Sequence, residues 1–218
     1  MPRVTWKRLY IAFGILALTG LIMIASTWNR FPGAYIKNVL GIHGNNLKSA
    51  DRVYEEFIAK NDLKGWKKSV VKILKSKRTL KLIVDNKEIF TASAAFGGGL
   101  GHKNKEGDRK TPEGEYYICT RNERSSFHLF LGLSYPGIND AERGLRDGLI
   151  SKSEHDYIIS AIKSGKCPLW ETKLGGAVGI HGCGGNLNWT HGCIALDDPD
   201  IELLWNFCPI GTRVIIEP

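Results

Sequence analysis

The sequence has no internal repeat, no low-complexity tract and no pair of cysteines two to four residues apart. The first two absences exclude a solenoid and a disordered linker protein. The third removes the usual knuckle of a structural zinc site. Also missing is a basic tract interleaved with aromatic residues. The 218 residues carry a formal charge of +8, which suits an anionic neighbourhood such as lipid headgroups or an acidic polymer. The basic residues are scattered, apart from Lys72, Lys75, Lys77 and Arg78, which read as a solvated strand entrance. Nucleic acid is therefore not an expected partner. The run Phe96-Gly97-Gly98-Gly99-Leu100-Gly101 is followed by a loop, His102 to Asp108. A phosphate cradle needs a helix there, so no nucleotide site is expected, and no motif implies a cofactor.

What is present begins with Leu9 to Trp28, LYIAFGILALTGLIMIASTW, which carries no formal charge. As a helix rising about 1.5 Å per residue it would span roughly 30 Å, the thickness of a bilayer's hydrocarbon core. Arg3, Lys7 and Arg8 precede it, and positive charge before the span favours a cytoplasmic N-terminus. The expected organisation is a cytoplasmic tip and membrane anchor over residues 1–28, a stalk over 29–66, and one domain over 67–218 outside the cytoplasm, in the periplasm or cell envelope. The competing reading is a cleaved signal peptide. Cleavage after Ala25 would put Met23 at the third position back, a poor site, and either reading exports the domain. Within the stalk, Ala50 to Lys60 carries Val53, Phe57 and Ile58 at helical spacing.

From Lys67 onward the pattern changes to short β-segments. Val70–Leu74, Thr79–Val84 and Ile89–Ala92 read as strands, the last two joined by a turn at Asp85-Asn86-Lys87. Tyr116–Cys119, His128–Leu133, Val178–His181, Cys193–Leu196 and Gly211–Ile216 follow, with a helix starting at Asp198-Pro199-Asp200. Residues 139–166 read as a helical insertion capped at Asp140 and Ser153. The expected fold is mostly β, a sandwich or barrel with that insertion.

Chemistry concentrates in GIHGCGGNLNWTHGCIAL, Gly179 to Leu196, which pairs His181 with Cys183 and His191 with Cys193. Three readings compete: a zinc site of two Cys and two His, a Cys183–Cys193 disulfide, and a nucleophilic thiol with an imidazole base. The cysteine count is five. In an oxidising compartment that odd number leaves at least one thiol free. On the third reading, the amides of Gly192 and Cys193 would face a developing oxyanion. His128, inside an apolar run, reads as a core histidine, and Cys119, Cys167 and Cys208 as structural. Trp189 reads either as packing or as a substrate platform. Arg109 and Lys110 are solvated loop charges or partners for a substrate carboxylate.

His181-Gly182 followed by Thr190-His191-Gly192-Cys193-Ile194 resembles the signature of the L,D-transpeptidase (YkuD-like) catalytic domain. Lys77-Arg78-Thr79-Leu80, the Thr111-Pro112-Glu113-Gly114 segment and Gly211-Thr212-Arg213-Val214 are similar to further stretches of that family, so the resemblance covers roughly Val70 to Pro218. It implies a mostly-β domain acting on peptidoglycan stem peptides. Cys193 would be the nucleophile and His181 the general base, with His191, Gly192 and Thr190 forming the oxyanion region and pocket, and Gly182, Trp189 and Arg109 contacting substrate. Ala195 stands where the family often has an arginine, and Gly182 offers no side chain to orient the imidazole. These departures keep two other readings open: a hydrolase of the same fold, and an inactive wall-binding protein.

Overall fold

The computed structural model describes residues 46–218. The expected anchor, Leu9–Trp28, lies outside the described residues. Among the described residues no helix is long and apolar enough to cross a membrane.

Alternating apolar residues drive the first strands. In β1 (Ser69–Leu74) and β2 (Thr79–Val84) every second side chain is buried, so Val71, Ile73, Leu80 and Leu82 form one inner face. Asp85 and Asn86 both take positive φ, 47° and 69°, and turn the chain tightly into β3 (Lys87–Ser93). Strand β4 (Gly114–Ser125) is the longest. Its first residues pair antiparallel with β8 (Arg213–Glu217), which lies parallel to β1. Its remainder pairs with β5 (His128–Leu133). Beyond β5 come β6 (Gly179–His181) and, parallel to it, β7 (Ile194–Ala195).

The result is one eight-stranded sheet in the order β3-β2-β1-β8-β4-β5-β6-β7. It curls until its ends approach: Ala95 and Ala195 exchange both backbone hydrogen bonds at 2.9 Å. Of the two expected arrangements, sandwich or barrel, the curl of a single sheet is the barrel-like one. Strand β4 runs through both halves, with register breaks after Ile118 and Asn122 that let the sheet bend.

Helix α1 (Asn46–Asn61) falls in the expected stalk but packs on the domain. Ala50 and Ile58 enter the main core, and Ser49 Oγ donates to Glu202 Oε2 at 2.6 Å. At least residues 46–66 therefore belong to the folded body. Phe207 is fully buried there, ringed by Tyr54, Phe57 and Trp66 at centroid distances of 5.0, 6.0 and 5.2 Å. Burying a side chain of that size stabilises by about 1.5–3 kcal/mol.

The helical insertion consists of α2 (Ile138–Arg146) and α3 (Lys152–Lys163). It has its own small core of Ala141, Ile150, Ile158 and Leu174. Its caps differ from the expected ones. Gly137 is the N-cap of α2, with Asp140 Oδ2 accepting from the Gly137 amide at 3.0 Å. Ser151, not Ser153, caps α3, in a reciprocal box with Glu154. A disulfide from Cys119 on β4 to Cys167, past the end of α3, ties the insertion to the sheet. Helix α4 (Asp198–Phe207) follows β7 and lies against α1.

Candidate active site

The parallel register of β6 and β7 pairs Ile180 with Ile194 and His181 with Ala195. Residues two apart on a strand share a face, so His181 and Cys193 project to the same side of the curl. The turn that delivers Cys193 is closed by Thr190. Thr190 Oγ1 donates to the Cys193 carbonyl at 2.7 Å and accepts from the Gly192 amide at 3.2 Å. Gly192 takes φ +139° there, and a Cβ would sit 2.8 Å from the Lys110 carbonyl oxygen, so only glycine fits. The Gly192 amide is thus bound within the turn.

His181 is only 2% exposed. Its Nδ1 lies 2.7 Å from the Gly182 carbonyl oxygen. That oxygen only accepts, so Nδ1 carries the proton and Nε2 keeps its lone pair. Burial pulls the imidazole down to about 4, against a smaller opposing effect of the Gly182 carbonyl, so the ring is neutral at neutral pH. Phe127 stacks on it at 4.8 Å and Trp189 meets it edge-on at 5.6 Å.

Gly182 sits below the site rather than in it. A Cβ there would lie 2.6 Å from Asp198 Oδ1 and 2.9 Å from the His128 Cβ. The Gly182 carbonyl, bound by His181 Nδ1, fixes the orientation of the imidazole. Trp189 is half-buried, with Nε1 donating to the Gly184 carbonyl at 3.2 Å, and acts as a wall beside His181. His128 is bound to Glu202 at 2.8 Å, next to Gly182.

Cys193 is partly exposed and free. Its Sγ lies 3.7 Å from the Ala177 carbonyl. Burial pushes the thiol up, while the Gly179 amide and the Lys103 charge pull it down, with a net rise. The resting pair is therefore neutral thiol and neutral imidazole. Cys183 is also free, but buried, and burial beside Asp198 raises its thiol to about 12. The two thiols form no disulfide. His191 is exposed, away from the buried Cys183, and among the described residues no cluster of three metal-binding side chains occurs.

The loop 94–113 forms the opposite wall. Arg109, at φ 56°, is exposed, its guanidinium over Gly98. Its carbonyl accepts from Gly99 at 2.8 Å. Two contributors to the site were missed in the sequence: Lys103, whose loop location gives no pattern signal, and Phe127, which precedes a strand.

No curated protein matches the chain. Among solved structures, an L,D-transpeptidase from Xylanimonas cellulosilytica is 16% identical over 71% of this chain and 62% of its own, with a TM-score of 0.41. The helical cell shape determining protein Pgp2 from Campylobacter jejuni is 22% identical over 70% of this chain and 49% of its own, TM-score 0.46. An L,D-transpeptidase from Mycobacterium tuberculosis is 16% identical over 69% and 57%, TM-score 0.41. This chain spans about half to three-fifths of the length of these three structures. A family model of the L,D-transpeptidase catalytic domain, YkuD, matches residues 68–216. The match takes in the curled sheet, the insertion and the His181–Cys193 turn, and the chain belongs to the L,D-transpeptidase (YkuD) family.

Proposed function

We propose that the chain is a cysteine-dependent L,D-transpeptidase acting on peptidoglycan stem peptides, with Cys193 as nucleophile and His181 as general base. The observation that carries this reading is the 2.7 Å bond from His181 Nδ1 to the Gly182 carbonyl. It leaves Nε2 as a proton acceptor on the face that also bears Cys193. Nε2 has no hydrogen-bond partner among the described residues.

The chemistry runs in two halves. Sγ attacks the carbonyl carbon of the third stem residue while its proton passes to Nε2. The tetrahedral intermediate collapses, the C–N bond breaks, and the departing D-alanine amine takes the proton from the imidazolium. A thioester to Cys193 is left. An acceptor amine then attacks the thioester, gives its proton to Nε2, and expels the thiolate, which is reprotonated. One amide bond is broken and one is made, so no cofactor is required. Because burial keeps both partners neutral at rest, the thiolate forms only as the base acts. The same reading holds the domain outside the cytoplasm on the Leu9–Trp28 anchor. The Cys119–Cys167 disulfide supports an oxidising compartment.

Cys193→Ala, incubated with tetrapeptide muropeptides, should release no D-alanine and form no cross-links by mass spectrometry. Continued release would refute the assignment. One observation favours a second reading, hydrolysis. Ala195 is fully buried and both its backbone groups are bound to Ala95, so no charged side chain at that position can hold an acceptor. Digests with and without an added amine acceptor separate the two, since dimers formed with acceptor reject pure hydrolysis.

A further inference from the structure

The chain carries a buried cation beside the Cys193 turn. Lys103 is 3% exposed although it lies in a loop. Its Nζ donates to Asp108 Oδ1 at 2.9 Å and to the Lys105 carbonyl at 3.0 Å. An ammonium has three donors, so one N–H is left without an acceptor among the described residues.

The side chain runs between the segment that leads to the Ala177 carbonyl and the turn that carries Cys193. Its Cε would lie 3.4 Å from a Cβ built on Gly175, and its Cδ 3.9 Å from one built on Gly192. Gly175 is two residues before Ala177, the carbonyl nearest Sγ, and Gly192 immediately precedes Cys193.

Much of the surrounding structure serves to keep this lysine in place. Asp108 takes, besides the ammonium, the amides of Asn104, Lys105 and Lys110 at 2.7, 3.1 and 3.0 Å. Burial works to raise that carboxyl, but these four donors hold it down at about 2. From the insertion, Arg143 grips the carbonyls of Lys103 and Asn104 at 3.3 and 3.0 Å. Arg143 is in turn bound to Asp140. Removing a lysine from water costs several kcal/mol unless charge compensates it. An exposed ion pair would have closed the loop without that cost.

We propose that Lys103 is the fixed cation of the catalytic site, and that its ammonium stabilises the negative charge that develops on the Cys193 sulfur when His181 takes the proton. It supplies positive charge where Ala195 supplies none. Asp108 and Arg143 act through it as positioning residues. The proposal rests on Cys193 being the nucleophile. The other charged or titratable groups on the surrounding segments are His181 on β6, His191 in the turn, Lys105, Glu106, Asp108, Arg109 and Lys110 on the loop, Lys173 before Gly175, and Arg143 on α2. Of these, His181 is neutral and Asp108 is paired to Lys103 itself. Burial raises the thiol, and the Lys103 charge opposes that rise.

The test is the pH dependence of iodoacetamide alkylation of Cys193, mapped by peptide mass so that the buried Cys183 and Cys208 do not contribute. Lys103→Met should move the profile upward by about one pH unit, a roughly tenfold loss of rate at neutral pH, and Lys103→Arg should restore most of it. Leaving Asp108 unpaired can itself unfold the loop, so Lys103→Met with Asp108→Asn removes both charges together. That pair should show the same upward shift. An unchanged profile in either folded variant overturns the proposal. So does failure of both neutral variants to fold while Lys103→Arg alkylates with the wild-type profile, because the lysine would then be only a structural ion-pair partner. Alkylation needs no muropeptide, so the two readings fail separately. A Lys103-dependent profile in a protein without turnover sinks the transpeptidase. Turnover with a Lys103-independent profile sinks only the role of Lys103.

Discussion

His102 and His181 are both hydrogen-bonded through ring nitrogens to the protein, and the difference between their settings separates two regions of the molecule. His102 Nε2 lies 3.0 Å from the buried Asp140 carboxylate, and its Nδ1 accepts the Glu113 amide at 2.9 Å. Both ring nitrogens are committed. Around it opens a cavity of about 1260 Å³ between the insertion and strands β4 and β8, lined by Arg143, Arg146, Arg213, Glu115 and Glu142. Several of these charges are paired, Arg213 with Glu115 and Arg143 with Asp140. His181 has no carboxylate, only a carbonyl on one nitrogen and aromatic rings on its faces. The charged cavity has the volume and the hydrogen bonds. The buried His181, flanked by Phe127 and Trp189, has the uncommitted ring nitrogen. Chemistry needs donor and acceptor capacity that the fold has left unspent, and that is found in the second region.

Four variants and one titration can break or sharpen that contrast. The largest effect is expected for His181→Ala, which should lower the rate of D-alanine release on the order of 10²–10⁴-fold, as loss of a general base does. His102→Ala should instead lower the melting temperature and leave that rate largely intact, and equal losses in rate would erase the distinction. Next comes the covalent tie of the cavity region. Replacing Cys119 and Cys167 with serine opens a link across 48 residues and should cost about 2–5 kcal/mol in urea unfolding, with the His181 pocket still intact. Smaller in stability is Gly182→Ala, about 1–3 kcal/mol from overpacking against Asp198 and His128. It should reduce turnover as well, because the carbonyl that orients the imidazole must move.

The titration has a definite sign. His181 is held at about 4 by burial, below its ordinary 6.5. The base is available above that value and is lost as pH falls through it, so the acid limb of D-alanine release should fall near pH 4. His102→Ala should leave the limb where it is. The unfolded chain binds more protons at this histidine between those two values, so stability should rise with pH across the same window.

Local pattern made a large part of the fold legible. Thr79–Val84 and His128–Leu133 have the expected strand bounds, because alternation along a strand reports directly on which side is buried. The caps of the insertion were less legible. Ser151 and Ser153 are both plausible N-caps, and Glu154, three residues after Ser151, is the signal that selects the first. Ala50–Lys60 had a visible apolar face, but nothing local says that the face meets α4. That contact joins residues 153 apart, as in Ser49 to Glu202. The choice between sandwich and barrel stayed open for a related reason. Short strands with Gly-rich turns suit a sandwich and a curled sheet equally, and only the pairing of Ala95 with Ala195 distinguishes them.

By itself the sequence determined the family, and it is the source of the proposed pair, His181 and Cys193, which lie within one eighteen-residue stretch. It also determined the glycine at 192, where the backbone leaves no room for a Cβ. The tertiary structure alone decided which atom holds the His181 ring, that Phe127 and Trp189 flank it, and that a lysine ninety residues upstream of Cys193 packs against the Gly192 turn. Those contacts depend on how far the sheet curls, and a curl is the sum of many small strand twists that no local pattern records.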